Sequence, residues 1–334
     1  MRLFVVLTAL LLTLSPAVSA AGPRTVAGSD VTGRQVINGR EFQDLAAWAR
    51  ANSLRWDWDG HSRALRATNR SVRLNFTLSA RQIELNGVTV WLSIPITPYR
   101  GRVYVATLDV RTALQPLLQP ARGKPNQKLS VIALDAGHGG RQPGNQVGDR
   151  LEKTYTLLLA RKVRSLLREA GFSVVMTRDS DVFVDLPERP AIARRKGADL
   201  FVSLHYNSVA SGAESARGIE VYCLTPAGVP STNSRADEVA ATQASPGNFN
   251  NSRNVLLAFQ VQRALVKNLR PTDRGVRRAR FSVLRTAEMP AILIEGGFMC
   301  DPEDAKDIFD SAGQAQLARA IVDGVLAYRR LVER

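Results

Sequence analysis

The chain has 334 residues and a formal net charge of +15 at pH 7, too many residues for one typical domain and suited to one small and one larger module. Two cysteines in the whole chain exclude a disulfide framework. The basic excess calls for an anionic partner, or it serves solubility alone.

In chain order, the first feature is Arg2 followed by an apolar run from Leu3 to Leu14, a break at Ser15-Pro16, and the small residues Val18-Ser19-Ala20-Ala21. This has the form of a secretory signal peptide (1–20) cut after Ala20. The run is short for a membrane span and no cysteine follows the cut, so neither a retained anchor nor a lipoprotein is expected. No later segment is apolar and long enough to cross a bilayer. The mature chain is expected to be exported, which makes nucleic acid a poor match for its charge.

From 24 to 120 short alternating runs such as Ser71-Val72-Arg73-Leu74-Asn75-Phe76 and Gln82-Ile83-Glu84-Leu85 read as half-exposed strands, and Asn86-Gly87 reads as a tight hairpin turn. A short helix carries Phe42, Leu45, Ala46 and Ala49 on one face, and another is read around Val110 to Leu118. The result is a small mixed, mainly β module. His61 reads as a solvated turn residue. Trp48, Trp56, Trp58 and Trp91 read as core or half-buried residues, with stacking on sugar rings as the alternative. Residues 121–128 form a polar, proline-bearing linker.

From 129 to 334 strands and helices alternate. Strands are read near Ser130–Leu134, Ser173–Met176, Leu200–Leu204, Ile219–Tyr222, Ser282–Leu284 and Ala291–Ile294. Helices are read near Tyr155–Ala170, Leu186–Lys196, Val255–Leu269 and Gln314–Leu331. The fold class is α/β, a mostly parallel sheet flanked by helices. The segment Thr225 to Asn254 shows no helical stripe, and a loop of that length suggests a lid. Arg274, Arg277, Arg278 and Arg280 read as a solvated rim or a binding patch. Cys223 and Cys300 read as two free thiols, with a bridge as the alternative.

The chemistry gathers at strand ends. His138 follows Val131-Ile132-Ala133-Leu134, and His205 closes Leu200-Phe201-Val202-Ser203-Leu204, so both imidazoles leave buried parallel strands at their carboxyl ends. Glu152 opens the helix whose stripe runs Leu158, Leu159, Val163, Leu166, Leu167 and Ala170, and a strand-loop-helix unit returns it towards His138. Two imidazoles and one carboxylate with an open position for water is the ligand set of catalytic zinc. Two of the chain's three histidines stand at these positions. Glu295, followed by Gly296-Gly297, reads as a general base on water and then an acid towards the leaving amine; a salt bridge is the alternative. Asn207 reads as a ligand for a substrate carbonyl or an orienter of a metal ligand. Arg189, with Arg178, reads as a partner of substrate carboxylates or, structurally, of Asp179 or Asp185.

The runs Asp135-Ala136-Gly137-His138-Gly139-Gly140, Glu152-Lys153, Ser203-Leu204-His205-Tyr206-Asn207 and Ile294-Glu295-Gly296-Gly297-Phe298 resemble the zinc-dependent N-acetylmuramoyl-L-alanine amidases of the type-3 amidase family. The resemblance extends over Thr177-Arg178-Asp179, Leu186, Arg189 and Asp273-Arg274-Gly275, and runs from Leu129 to the carboxyl terminus. Ala136 stands where such enzymes often have proline, and Cys300-Asp301 where serine-asparagine is common. The resemblance implies a zinc enzyme that cuts peptidoglycan between the lactyl group of N-acetylmuramic acid and L-alanine, in the periplasm or cell wall, during wall remodelling or daughter-cell separation. It leaves room for a protein activator, and a monomer is expected. A zinc peptidase acting within the stem peptide is the enzymatic alternative, and a catalytically silent wall-binding protein the other; the latter requires a missing ligand, and none is missing. The pieces Asn38-Gly39, Leu54-Arg55-Trp56-Asp57, Asn86-Gly87 and Gly101-Arg102-Val103-Tyr104-Val105 resemble the small amino-terminal module of copper amine oxidases, which implies no copper here; this module (24–120) is expected to be wall-associated, aiding attachment and dispensable for the chemistry.

Overall fold

The structure, a computed structural model, describes residues 33–59, 64–121, 128–209, 216–233 and 242–333. The expected signal peptide, His61, residues 122–127 of the linker and 234–241 of the long loop lie outside the described residues.

The chain begins with β1 (Arg34–Ile37) and β2 (Arg40–Asp44), then α1 (Leu45–Ala51), whose first turn is capped by the Asp44 carboxylate accepting from Ala47 N–H at 2.8 Å. An antiparallel meander follows: β3 (Arg55–Asp59), β4 (Ala64–Thr68), β5 (Arg73–Thr77), β6 (Gln82–Leu85) and β7 (Val88–Trp91). Asn86 and Gly87, at φ 51 and 82, turn the last hairpin, as two consecutive positive φ values in a two-residue loop demand. Strands β8 (Thr97–Tyr99) and β9 (Arg102–Ala106) join β1 and β2 in a separate four-stranded antiparallel sheet. Helix α2 (Thr107–Asp109) passes through a π-helical stretch at Val110–Leu114 into α3 (Gln115–Leu118).

The remainder alternates: β10 (Val131–Ala136), the short hairpin β11 (Gln146–Val147) and β12 (Arg150–Leu151), α4 (Glu152–Glu169), β13 (Ser173–Met176), α5 (Glu188–Arg195), β14 (Leu200–Asn207) and β15 (Ile219–Leu224). After a single-turn helix at Pro246–Asn250 come α6 (Asn251–Leu269), β16 (Asp273–Ala279), α7 (Ser282–Arg285), β17 (Ala291–Phe298), α8 (Pro302–Phe309) and α9 (Ser311–Val332).

One sheet of eleven strands carries the molecule, in the order β13-β10-β14-β17-β15-β16-β7-β6-β5-β4-β3. From β13 to β17 neighbours are parallel; β15 runs against β17 and parallel to β16. The meander adds on through a parallel pairing of Val90 with Val276. The expected α/β sheet is therefore mixed, and the amino-terminal strands extend it.

Strand residues alternate between two faces. Ile132, Leu134, Leu204 and Ile294 face the core beneath α4, α6 and α9, and this core is continuous with Leu65, Phe76 and Val90 of the meander. Ala133, Phe201, Tyr222 and Leu293 face the thinner layer built by α5 and α7. By the same alternation Asp135, Ser203, His205, Glu220 and Glu295 belong to that thinner face.

Two sequence expectations change. Ser282–Leu284 is not a strand but the turn of α7, with Leu284 and Arg285 N–H both bonding Phe281 O at 3.0 Å; so short an apolar run carries no period that separates the two. The basic run is not a solvated rim but β16 itself. Arg278 is buried, donating to Thr112 O at 2.8 Å, and Arg274 and Arg277 pair with the buried Glu220 at 2.9 and 2.7 Å. Cys223 is buried and Cys300 exposed, both free. No helix among the described residues is long and apolar enough to cross a membrane.

At the junction of meander and sheet, Gly275 has φ 87, and a Cβ there would sit 2.6 Å from Thr89 O. Gly275→Ala is expected to destabilise the protein by about 1–3 kcal/mol, read as a lowered denaturant midpoint with an unchanged slope.

Candidate metal centre

His138 lies just past β10 at φ 61, a left-handed conformation that a non-glycine residue holds only when its surroundings fix it. Two guanidiniums do so. Arg189 donates through Nη2 to His138 O at 2.9 Å, and through Nη1 to Ala136 O at 2.9 Å and to the Asp135 carboxylate at 2.8 Å. Arg178 donates to Gly137 O at 2.8 Å and Ala136 O at 2.9 Å. Asp135 is fully buried and also accepts from Thr177 and Ser203 hydroxyls, each at 2.7 Å. Burial opposes its charge, but Arg189 and the two hydroxyls hold its carboxyl below the usual range.

Glu152 is the first residue of α4, where loop carbonyls replace a side-chain cap: Glu152 N–H bonds Asn145 O at 2.9 Å and Lys153 N–H bonds Pro143 O at 3.0 Å. Its carboxylate is 1% exposed. Oε1 accepts from Tyr206 N–H at 3.1 Å and meets His205 Nδ1 at 2.9 Å. Oε2 accepts from Asn145 N–H at 2.8 Å and meets His138 Nε2 at 3.1 Å. Gly144 closes over the group, since a Cβ there would stand 2.6 Å from Glu152 Oε2 and 2.7 Å from the His138 ring. Burial disfavours the Glu152 anion, yet the contacts from His138 and His205 outweigh it and hold the carboxyl well below its ordinary value. Burial likewise works against a charged His205, and Glu152 reverses the balance, raising its pKa.

One donor atom from each of His138, Glu152 and His205 lies within 4.8 Å of the others. His205 and His138 meet different oxygens of Glu152, at 2.9 and 3.1 Å, so a zinc ion, whose neighbouring ligands stand roughly 3.3–3.6 Å apart, would need the two rings to shift from these hydrogen bonds onto the ion. The donor set is one that could hold a metal ion.

Glu295 sits within β17, because that strand continues to Phe298 rather than ending at Ile294. It stands opposite His205 on β14 and opposite Glu220 on β15. Its Oε2 is buried with no hydrogen-bond partner. Burial pushes its pKa up to about 8; Glu152 and Glu220 add to this and His205 works against it. A cleft of about 510 Å³ opens on these four side chains, with Leu186, Phe281, Val283 and Leu293 as an apolar wall.

The two expected substrate ligands stand elsewhere in the hydrogen-bond network. Asn207 donates to Glu220 at 2.8 Å and accepts from Ser208 N–H at 3.0 Å. Arg189 is 1% exposed and engaged with Asp135 and three carbonyls, those of Ala136, His138 and Val184. Its acidic partner is Asp135, not Asp179 or Asp185; Asp179 pairs with Arg161 and Arg164. Sequence reasoning passed over Asp135 and Glu220. The available signal was a lone carboxylate inside each apolar strand, which burial makes costly without partners.

One edge of an α/β sheet thus gathers a His-Glu-His donor set that could hold a metal ion, beside the buried carboxylate of Glu295. A family model described as N-acetylmuramoyl-L-alanine amidase, Amidase_3, matches residues 132–327, more than half of the chain, and the chain belongs to that family. It is 34% identical over 234 residues to the N-acetylmuramoyl-L-alanine amidase AmiC of Neisseria meningitidis serogroup B, covering 63% of this chain and 55% of that protein. It is 32% identical over 247 residues to AmiA of Escherichia coli, covering 65% and 84%. The chain thus spans only about half the length of the first of these relatives. Among solved structures, the amidase AmiC2 of Nostoc punctiforme is similar, with a TM-score of 0.51 and 33% identity over 61% of this chain and 99% of that one.

Glu295 makes a pH prediction for protein stripped of metal. Its folded pKa of about 8 lies above its ordinary 4.5, so the stability it contributes is present below about 4.5 and is lost as pH rises through about 8. Metal-free protein should lose melting temperature between pH 5 and 8, and Glu295→Gln should flatten that slope. His205, also raised, leaves a residual slope of the same sign. An identical profile in the variant contradicts the assignment.

Proposed function

We propose that this protein is an exported, zinc-dependent N-acetylmuramoyl-L-alanine amidase that cuts peptidoglycan at the amide between the lactyl group and L-alanine. The observation that carries the reading is the convergence of His138, Glu152 and His205 with an unpartnered buried carboxylate, Glu295, on the next strand. Substrate class follows from family membership and from the activity in the names of its relatives.

In this reading His138, Glu152 and His205 hold the zinc. When bound, zinc supplies positive charge that acidifies water, polarises the amide carbonyl and favours the ionised form of Glu295. Glu295 takes the proton as the water oxygen bonds to the carbonyl carbon, then returns it to the L-alanine nitrogen as the carbon–nitrogen bond breaks. Asp135 and Arg189 fix the loop that carries His138. Leu186, Phe281, Val283 and Leu293 form the wall along which the substrate lies. Asn207 faces the substrate carbonyl or steadies the His205 strand. A monomeric catalytic chain and, by family resemblance, a protein activator complete the proposal.

The test separates the two glutamates. Glu152→Gln should lose stoichiometric zinc and activity together. Glu295→Gln should keep its zinc while turnover falls at least about a hundredfold, since general acid-base catalysis contributes about 10²–10⁴. Zinc measured by plasma mass spectrometry and turnover of a soluble muropeptide decide it; full zinc in Glu152→Gln, or near-normal turnover in Glu295→Gln, overturns the roles.

A further inference from the structure

The amino-terminal module touches the catalytic sheet at one strand, and that contact leads directly to Glu295. Strand β7 pairs with β16 through Val90 and Val276. The next residue, Trp91, donates its indole N–H to Arg274 O at 3.0 Å, and its ring lies 4.5 Å from the guanidinium carbon of Arg277. On the other side of Val90, Thr89 N–H donates to the Asp273 carboxylate of β16 at 2.7 Å. Arg277 and Arg274 reach together to one oxygen of Glu220, at 2.7 and 2.9 Å. The other oxygen of Glu220 accepts from Asn207 and from the Tyr222 hydroxyl, both at 2.8 Å. Glu220 is 1% exposed and is the cross-strand partner of Glu295.

The physical problem is two carboxylates side by side on one buried sheet face, an arrangement that repels unless one charge is compensated. Glu295 has no partner for Oε2, so the compensation falls on Glu220. Two guanidiniums supply it, and the module sets the position of one of them: the indole face attracts the Arg277 cation, while the indole N–H pins the β16 backbone between the two arginines. A tether joined only by a linker would make no such contact.

We infer that Trp91 is a positioning residue for the active site, acting through Arg277 and Glu220 to hold Asn207, two residues past His205 on β14, and that the amino-terminal module is thereby part of the catalytic frame and not only an attachment device. This rests on the amidase reading for its catalytic consequence but not for the coupling itself. The test uses the full chain with zinc bound and a soluble N-acetylmuramoyl-L-alanyl peptide. Trp91→Leu should lower kcat about tenfold, a barrier change of about 1.4 kcal/mol, with KM and zinc content unchanged. Trp91→Phe, which keeps a ring face for Arg277, should recover most of the rate. In an Asn207→Ala background Trp91→Leu should cost nothing further. Independently of activity, the side-chain amide signal of Asn207 in a nitrogen-labelled NMR spectrum, identified by its loss in Asn207→Ala, should move in Trp91→Leu. If that variant does not fold, Arg277→Gln reads the same link by the same signal. An unmoved Asn207 signal, or a rate loss that persists undiminished in Asn207→Ala, overturns the inference. A wild-type chain that leaves the peptide uncut sinks the amidase reading instead, and the amide signal still decides the coupling.

Discussion

A carboxylate and a guanidinium taken out of water, Asp135 and Arg189, hold the edge of the sheet that carries the candidate site in one arrangement. Each charge alone would cost several kcal/mol to bury. Here the pair is 2.8 Å apart and both members are saturated, Asp135 by Thr177 and Ser203, Arg189 by the carbonyls of Val184, Ala136 and His138. The bonds tie β10 to β14 and to the loop after β13, and they hold His138 in its left-handed backbone. Buried pairs of this kind contribute little net stability compared with apolar residues of the same size. What this pair adds is geometry: it fixes where the first imidazole leaves the sheet, and Glu152 and His205 are placed relative to that point.

Three glutamates then share one small region and differ only in their partners. Glu152 lies between two imidazoles and two backbone amides and is held ionised. Glu220 has two guanidiniums, an amide and a hydroxyl. Glu295 has no partner for one oxygen and an elevated pKa. A residue type has no fixed ionisation; the donors around it decide whether its charge is held, shared or suppressed.

The gathering of His138, Glu152, His205 and Glu295 at one edge of the sheet was legible in the sequence because its signals are local. Apolar strands ending in histidine, a helix opening on Glu152 and a glycine-flanked Glu295 are patterns of adjacent residues. The partners of those residues were not legible, since Arg189 finds Asp135 from 54 positions away and Arg274 finds Glu220 from the same distance. Strand β16 escaped for the same reason: a run of arginines reads as surface until the carboxylate and carbonyls that neutralise it are in place. Helix α8 is a different kind of omission. Asp301 accepts from Glu303 and Asp304 N–H, and Pro302 occupies the first turn, a start signal present in the sequence. The join between meander and sheet is made by one parallel pairing together with long-range bonds such as Thr89 to Asp273 and Trp91 to Arg274, for which strand-length patterns carry no information.

The central claim is that this edge splits one particular amide with water. Digestion of purified peptidoglycan in heavy-oxygen water, followed by mass analysis of both products, reads it directly. The account predicts one heavy oxygen in the lactyl carboxylate of the glycan and a stem peptide that begins with unlabelled, free L-alanine. Label in a carboxylate within the stem peptide, with the lactyl amide intact, would contradict it.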